Sequence, residues 1–96
     1  MVKTEPFDAA RYLTSAESQA ALLNDALASG DAGYVAQALG VIARARGMTE
    51  VAREAGVTRE ALYKALSADG DPRLTTVLGV ARALGVTLTA RVMPAR

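Results

Sequence analysis

Apolar residues recur along much of this chain at the three- and four-residue spacing that places them on one face of a helix. Leu74, Val77, Leu78, Ala81 and Leu84 form the cleanest such stripe, and Gly85 is expected to close that helix. Ala16, Ala20, Leu23 and Leu27 form another, widened by Leu22 and Ala26. It predicts a helix that runs to about Ala28 and is ended by Gly30. Thr14-Ser15-Ala16-Glu17 in front of it fits a capping box with Thr14 at the cap.

Asp31 is the next cap, and Ala32 to Arg46 is the longest helical pattern. Val35, Ala38, Leu39 and Ile42 mark its buried face. Gly33 and Gly40 interrupt it, at roughly 1 kcal/mol each relative to alanine. Gly40 either admits a close crossing by another helix or is a tolerated weakness. Arg44 and Arg46 lie in the last turn before Gly47. Their charge suits the negative end of the helix dipole. Both are also close enough to the following turn to reach a DNA backbone, so both readings stand.

The stretch Thr49–Ser67 predicts two short helices joined by a sharp turn. Thr49 can cap the first, which runs to Ala55, and Gly56 stops it. Thr58 can cap the second, Arg59 to Leu66. Leu62, Ala65 and Leu66 form its inner face, while Arg59, Glu60, Tyr63 and Lys64 form a polar outer face. Ala52 and Gly56 are small where the helices must cross, and apolar Val57 can drop beneath both. This is the layout of a DNA-reading helix-turn-helix; the plainer alternative is a hairpin within a helical bundle. On such a helix Arg59 can bridge O6 and N7 of a guanine, and Lys64 can reach a phosphate or a guanine. Glu60 can accept from cytosine N4, or it can pair with Lys64 one turn on.

Two segments break the helical pattern. Residues 1–7 read as an extended lead-in, with Pro6 restricting Glu5, and Asp8 can cap a short turn from Ala9 to Leu13. Phe7 and Tyr12 would dock this arm on the domain. At the other end Val86, Leu88, Ala90 and Val92 alternate with polar residues, which predicts a short strand ended by Pro94. A lone strand needs a partner for its hydrogen bonds. A second copy of the chain across a two-fold axis is the favoured partner, making these four residues a dimer interface. The edge of another protein's sheet and the lead-in before Phe7 are the alternatives. The chain then divides into an arm and helix over 1–30, a helix-turn-helix domain over 31–85 and a strand and tail over 86–96.

Composition narrows the function. With 96 residues, 51% of them hydrophobic, one domain with a sizeable core is expected. Three Tyr and one Phe are the only aromatics, so that core must be aliphatic. The chain has neither Cys nor His. Disulfides, thiol nucleophiles and the common zinc sites are thereby excluded, and the usual general base is missing. No enzyme, metal or cofactor is expected. The longest uncharged run, Ala32 to Ala43, is too short to span a bilayer, and the first residues lack the apolar core of a signal peptide. A soluble cytoplasmic protein is expected. Net charge is only +1, but it is uneven. Residues 1–30 hold two cations against four carboxylates, and residues 31–96 hold nine against six. The basic part contains the helix-turn-helix.

The run GMTEVAREAGVTREALYKALSADGDPRLTTVLGVARALGV resembles the antidote (antitoxin) proteins of bacterial addiction modules. The similarity extends upstream through FDAARYL, LLNDALASGD and ALGVIARARG to nearly the whole chain. TREALYKALS, a Gly-Asp-Pro loop and TTVLGVARALG carry it most specifically. The resemblance implies an all-α, five-helix, lambda-repressor-like domain of the XRE type, with a helical N-terminal extension and a short C-terminal strand. It implies a type II antitoxin that neutralises a small co-encoded toxin, often RelE/ParE-like, and represses its own operon as a DNA-binding protein. On that pattern Arg59, Glu60 and Lys64 face the major groove, Thr58 sits where a cap touches phosphate, and Tyr63 does either. The first helix of the motif is shorter here than in generic repressors of the type. Thr49 is therefore expected to be a cap and not a base contact. A phage-type repressor with no toxin, or an interaction module that no longer binds DNA, would fit the same helices.

Overall fold

Five helices carry the regular structure of residues 15–94, the part of the chain described by this computed structural model. They are α1 (Ala16–Ser29), α2 (Ala32–Arg46), α3 (Met48–Ala55), α4 (Arg59–Ala65) and α5 (Leu74–Leu84). The predicted lead-in, the Asp8 cap, the turn Ala9–Leu13, and Phe7 and Tyr12 lie outside the described residues.

Local chemistry sets most of the boundaries. Ser15 caps α1, its hydroxyl accepting from the Ser18 amide at 3.1 Å. The predicted cap, Thr14, is one residue too early. Gly30 ends α1 in the left-handed region, and Asp31 caps α2 by accepting from the amides of Gly33 and Tyr34. One residue then serves two helices. Gly47, at φ 120°, closes α2 by donating to the Ala43 carbonyl and stands directly before α3. Thr49 is therefore inside α3 and caps nothing. A side-chain cap would have to come from position 47, where only glycine adopts this φ without strain.

The core is aliphatic, as expected, and Leu39, Ile42, Val51, Leu62 and Val80 are its largest fully buried side chains. α1 packs on α2, α2 on α3 and α5, and α3 most extensively on α5. Two buried faces differ from those read off the apolar spacing. In α1 the inward residues are Gln19, Leu23 and Ala26, while Ala16 and Leu27 face solvent. A glutamine can take an inward position because its side chain has a hydrogen-bonding partner there, the Arg46 guanidinium. In α5 the inward residues are Gly79, Val80, Ala81 and Leu84, while Leu74 is 70% and Leu78 46% exposed. The cause is Gly79, where an added Cβ would lie 3.2 Å from the Ala55 Cα. The close crossing of α3 and α5 turns that small residue inward and swings the two leucines out.

No strand forms among the described residues, which corrects the expectation for Val86–Val92. Gly85 ends α5 in the left-handed region, and the Val86 amide closes the motif on the Ala81 carbonyl at 2.9 Å. Val86 and Leu88 then lie half-buried on the chain's own core, beside Leu23 and Leu27 of α1. Ala90 and Val92 are exposed. Two of the four alternating apolar residues cover the chain's own core, and among the described residues no second strand is present to form a ladder.

The other close approach involves α2. A Cβ on Gly40 would lie 2.5 Å from the Leu66 carbonyl oxygen, so the end of α4 rests on the α2 backbone. Of the two readings of Gly40, the close crossing holds. Helix propensity alone would make Gly40→Ala stabilising by about 1 kcal/mol. Displacing a packed backbone carbonyl costs about 1–3 kcal/mol. A net loss of stability is expected, read as a lowered urea midpoint with unchanged slope. A raised midpoint would show that α4 can move away from α2 freely.

Candidate nucleic-acid interface

The turn between α3 and α4 is built by Gly56, at φ 77°. Its amide donates to the Arg53 carbonyl at 3.2 Å, and the Val57 amide donates to the Ala52 carbonyl at 3.0 Å. Val57 packs half-buried against the core, and Ala52 is buried beneath it. Nothing approaches within 4 Å of a Cβ placed on Gly56, so its requirement is the left-handed backbone and not a tight crossing. Thr58 is extended, and its hydroxyl accepts from the Ala61 amide at 3.0 Å, starting α4 as expected. α4 ends at Ala65, with Leu66 as its last cap.

Leu62 and Leu66 anchor α4 in the core at 0% and 2% exposure. That leaves Arg59, Glu60, Tyr63 and Lys64 on the solvent side, together with the cap Thr58. Glu60 and Lys64 form no ion pair with each other. The ion pair found here joins Glu50 to Arg53 on α3. The Arg59 guanidinium instead lies over the Tyr63 ring, 5.4 Å from its centroid. The outer face of α4 thus offers two cations, one carboxylate and one aromatic ring. A guanidinium fork can donate two parallel hydrogen bonds to a base edge or a phosphate.

The two arginines of α2 are both exposed, and they differ in their hydrogen bonds. Arg44 is exposed, consistent with either reading of it. Arg46 Nη2 donates to the Leu84 carbonyl at 2.9 Å and to Gln19 Oε1 at 3.3 Å. It ties the ends of α2 and α5 to the inner face of α1, satisfying a carbonyl that the last turn of α5 leaves open. This contact between residues 38 positions apart in sequence leaves no periodic trace. The α1–α2 pair has a second tie, Tyr34 Oη to Asp25 Oδ2 at 2.6 Å. That hydrogen bond, with some desolvation and the carboxylate's charge, raises the Tyr34 phenol above its ordinary value.

Two residues of the loop between α4 and α5 escaped the sequence reading. Gly70 packs on the last turn of α4, where a Cβ would collide with the Ala65 carbonyl, and its amide donates to the Ser67 carbonyl at 2.9 Å. Arg73 precedes α5 at its N-cap position, exposed and making no side-chain cap bond. A cation at a helix N-terminus opposes the helix dipole, and that mismatch is the signal that could have drawn attention to it.

The geometry defines a small helical domain that presents one short polar helix on a glycine-turn hairpin. The chain belongs to the family of probable addiction module antidote proteins, which it matches over residues 3–92. It is 48% identical over 80 residues to an uncharacterised protein of Haemophilus influenzae, covering 83% of this chain and 82% of that one. No solved structure matches it. Among the described residues no helix is long and apolar enough to cross a membrane.

The different settings of the two arginines give opposite expectations. Arg46→Ala should lower stability by roughly 1–2 kcal/mol, through loss of a charged hydrogen-bond donor. Arg44→Ala should leave stability unchanged. If Arg44 meets a phosphate, its removal should also lower the salt dependence of DNA binding by roughly one unit of log–log slope. Denaturation and salt titrations on both variants check this; equal stabilities would refute the tie made by Arg46.

Proposed function

We propose that this protein is the antitoxin of a type II toxin–antitoxin module, neutralising a RelE/ParE-like toxin and repressing its own operon by sequence-specific DNA binding. Its five helices are read as a lambda-repressor-like helix-turn-helix domain, with α1 as the N-terminal extension and α4 as the recognition helix. The observation that carries the DNA half is the outer face of α4. Leu62 and Leu66 fix the helix from below, so Arg59, Glu60, Tyr63 and Lys64 project together on a rigid support. Thr58 at the cap of α4, Arg44 and Arg46 in the last turn of α2, and Arg73 before α5 are the candidate phosphate contacts. The family supports the toxin half. The protein acts by binding and not by catalysis, in the cytoplasm where operator and toxin are both found.

Two copies would bind a roughly palindromic operator, with half-sites about one helical turn apart. Arg59→Ala should weaken cognate binding by about 1–3 kcal/mol and relax specificity at one base pair. Fluorescence anisotropy on operator and scrambled duplexes measures this. If Arg59→Ala weakens both equally, Arg59 reads no base.

The toxin half has its own test. Co-expression with the toxin encoded beside the gene should rescue growth, and the two proteins should co-purify. A variant with Arg59 and Lys64 both changed to alanine should still neutralise while losing repression. Growth arrest despite soluble wild-type antitoxin would leave a stand-alone repressor as the function.

A further inference from the structure

We propose that Tyr63 is a positioning residue for base readout, holding the Arg59 guanidinium stacked in place so that its fork meets a guanine edge already ordered. This deepens the DNA-binding reading above and rests on it. Arg59 and Tyr63 are one helical turn apart on α4, and a helical side chain leans back over the turn that precedes it. The Tyr63 ring accordingly lies under the Arg59 guanidinium, 5.4 Å from centroid to Cζ.

The pair has no evident structural task. Tyr63 is 41% exposed and is not part of the core. Its hydroxyl makes no hydrogen bond among the described residues. Arg59 pairs with no described carboxylate, although Glu60 is its neighbour. It occupies the first position of α4, where the helix dipole disfavours a cation and where Thr58 already supplies the cap. A placement that costs the helix something, on a face with no packing role, points to a function outside the fold.

Stacking changes what binding demands of the arginine. A free arginine must give up many rotamers to form two hydrogen bonds, and its loss is smaller when the planar fork is already held. A guanidinium held over a ring by cation–π attraction, as the 5.4 Å approach allows, can keep the edge that carries its donors open. O6 and N7 of guanine, in the major groove, are the acceptors that fit that edge. The ring supplies this effect and the hydroxyl does not, so phenylalanine should substitute.

The test uses the full chain and an operator chosen by selection from random duplexes. Affinities are measured for that operator, for a copy with the Arg59 base pair changed, and for a scrambled duplex. Tyr63→Leu should reduce discrimination at that base pair by about two- to fivefold, with scrambled-duplex binding and the helical spectrum unchanged. Tyr63→Phe should retain it. In an Arg59→Ala background Tyr63→Leu should have no further effect. Without DNA, the Arg59 Cδ protons should show an upfield ring shift, kept in Tyr63→Phe and lost in Tyr63→Leu. Equal weakening on all three duplexes, a Tyr63→Phe loss as large as that of Tyr63→Leu, or an undiminished effect without Arg59 would overturn the proposal. Selection that yields no preferred duplex would bring down the DNA-binding reading itself. Specific binding that ignores Tyr63→Leu would bring down only this inference.

Discussion

The seating of α4 is the constraint on which the rest of this molecule depends. A helix of seven residues is far too short to be stable alone, since nucleation consumes most of what its few hydrogen bonds return. It exists because Leu62 and Leu66 are buried among α2, α3 and α5, and because α2 carries Gly40 where the Leu66 carbonyl must pass. Gly70 does the same service on the following loop, allowing the chain to turn tightly against the end of α4. Small residues thus fix the helix, and the large ones fill the space around it. Everything offered to a partner on the outer face inherits its position from these inner contacts.

α1 is joined to that unit by polar groups as well as by packing. Arg46 reaches from the end of α2 to both the last turn of α5 and Gln19 of α1, and Tyr34 meets Asp25 on the same pair of helices. Such bonds are directional, so they fix the rotation of α1 about its axis more sharply than aliphatic contacts would. The N-terminal helix therefore belongs to the same packed body as the hairpin that carries α4. Any partner held by α1 would sit on a support continuous with it.

What was legible in the sequence follows from what leaves a local trace. The helices announced themselves by spacing, and α2 by the Asp31 cap and terminal Gly47. The hairpin was readable because Gly56, Val57 and Thr58 each perform a task confined to one turn. The misreadings arose where a distant contact decides. Gln19 turns inward because of Arg46, and Leu74 and Leu78 turn outward because Ala55 approaches Gly79. Spacing of apolar residues fixes a helical face to within about one position, and the tertiary crossing selects among the neighbours. The period-two pattern after Gly85 is real, but alternation shows only which side chains share a side. Val86 and Leu88 use it to cover their own core.

On the candidate interface the informative feature is disagreement with local preference. Arg59 and Arg73 both stand at the start of a helix, where the dipole favours a carboxylate, and neither is explained by a side-chain cap or by an ion pair among the described residues. Arg44 and Arg46 stand at a helix end, where a cation is favoured, and the structure gives Arg46 an internal task. Placement that follows the rule is thus a poor guide to function, because stability accounts for it. Placement that breaks the rule requires compensation, and for Arg59 the compensation visible in the free protein is the Tyr63 ring. A residue held where the helix does not want it, by a neighbour that the core does not need, is best explained by a partner.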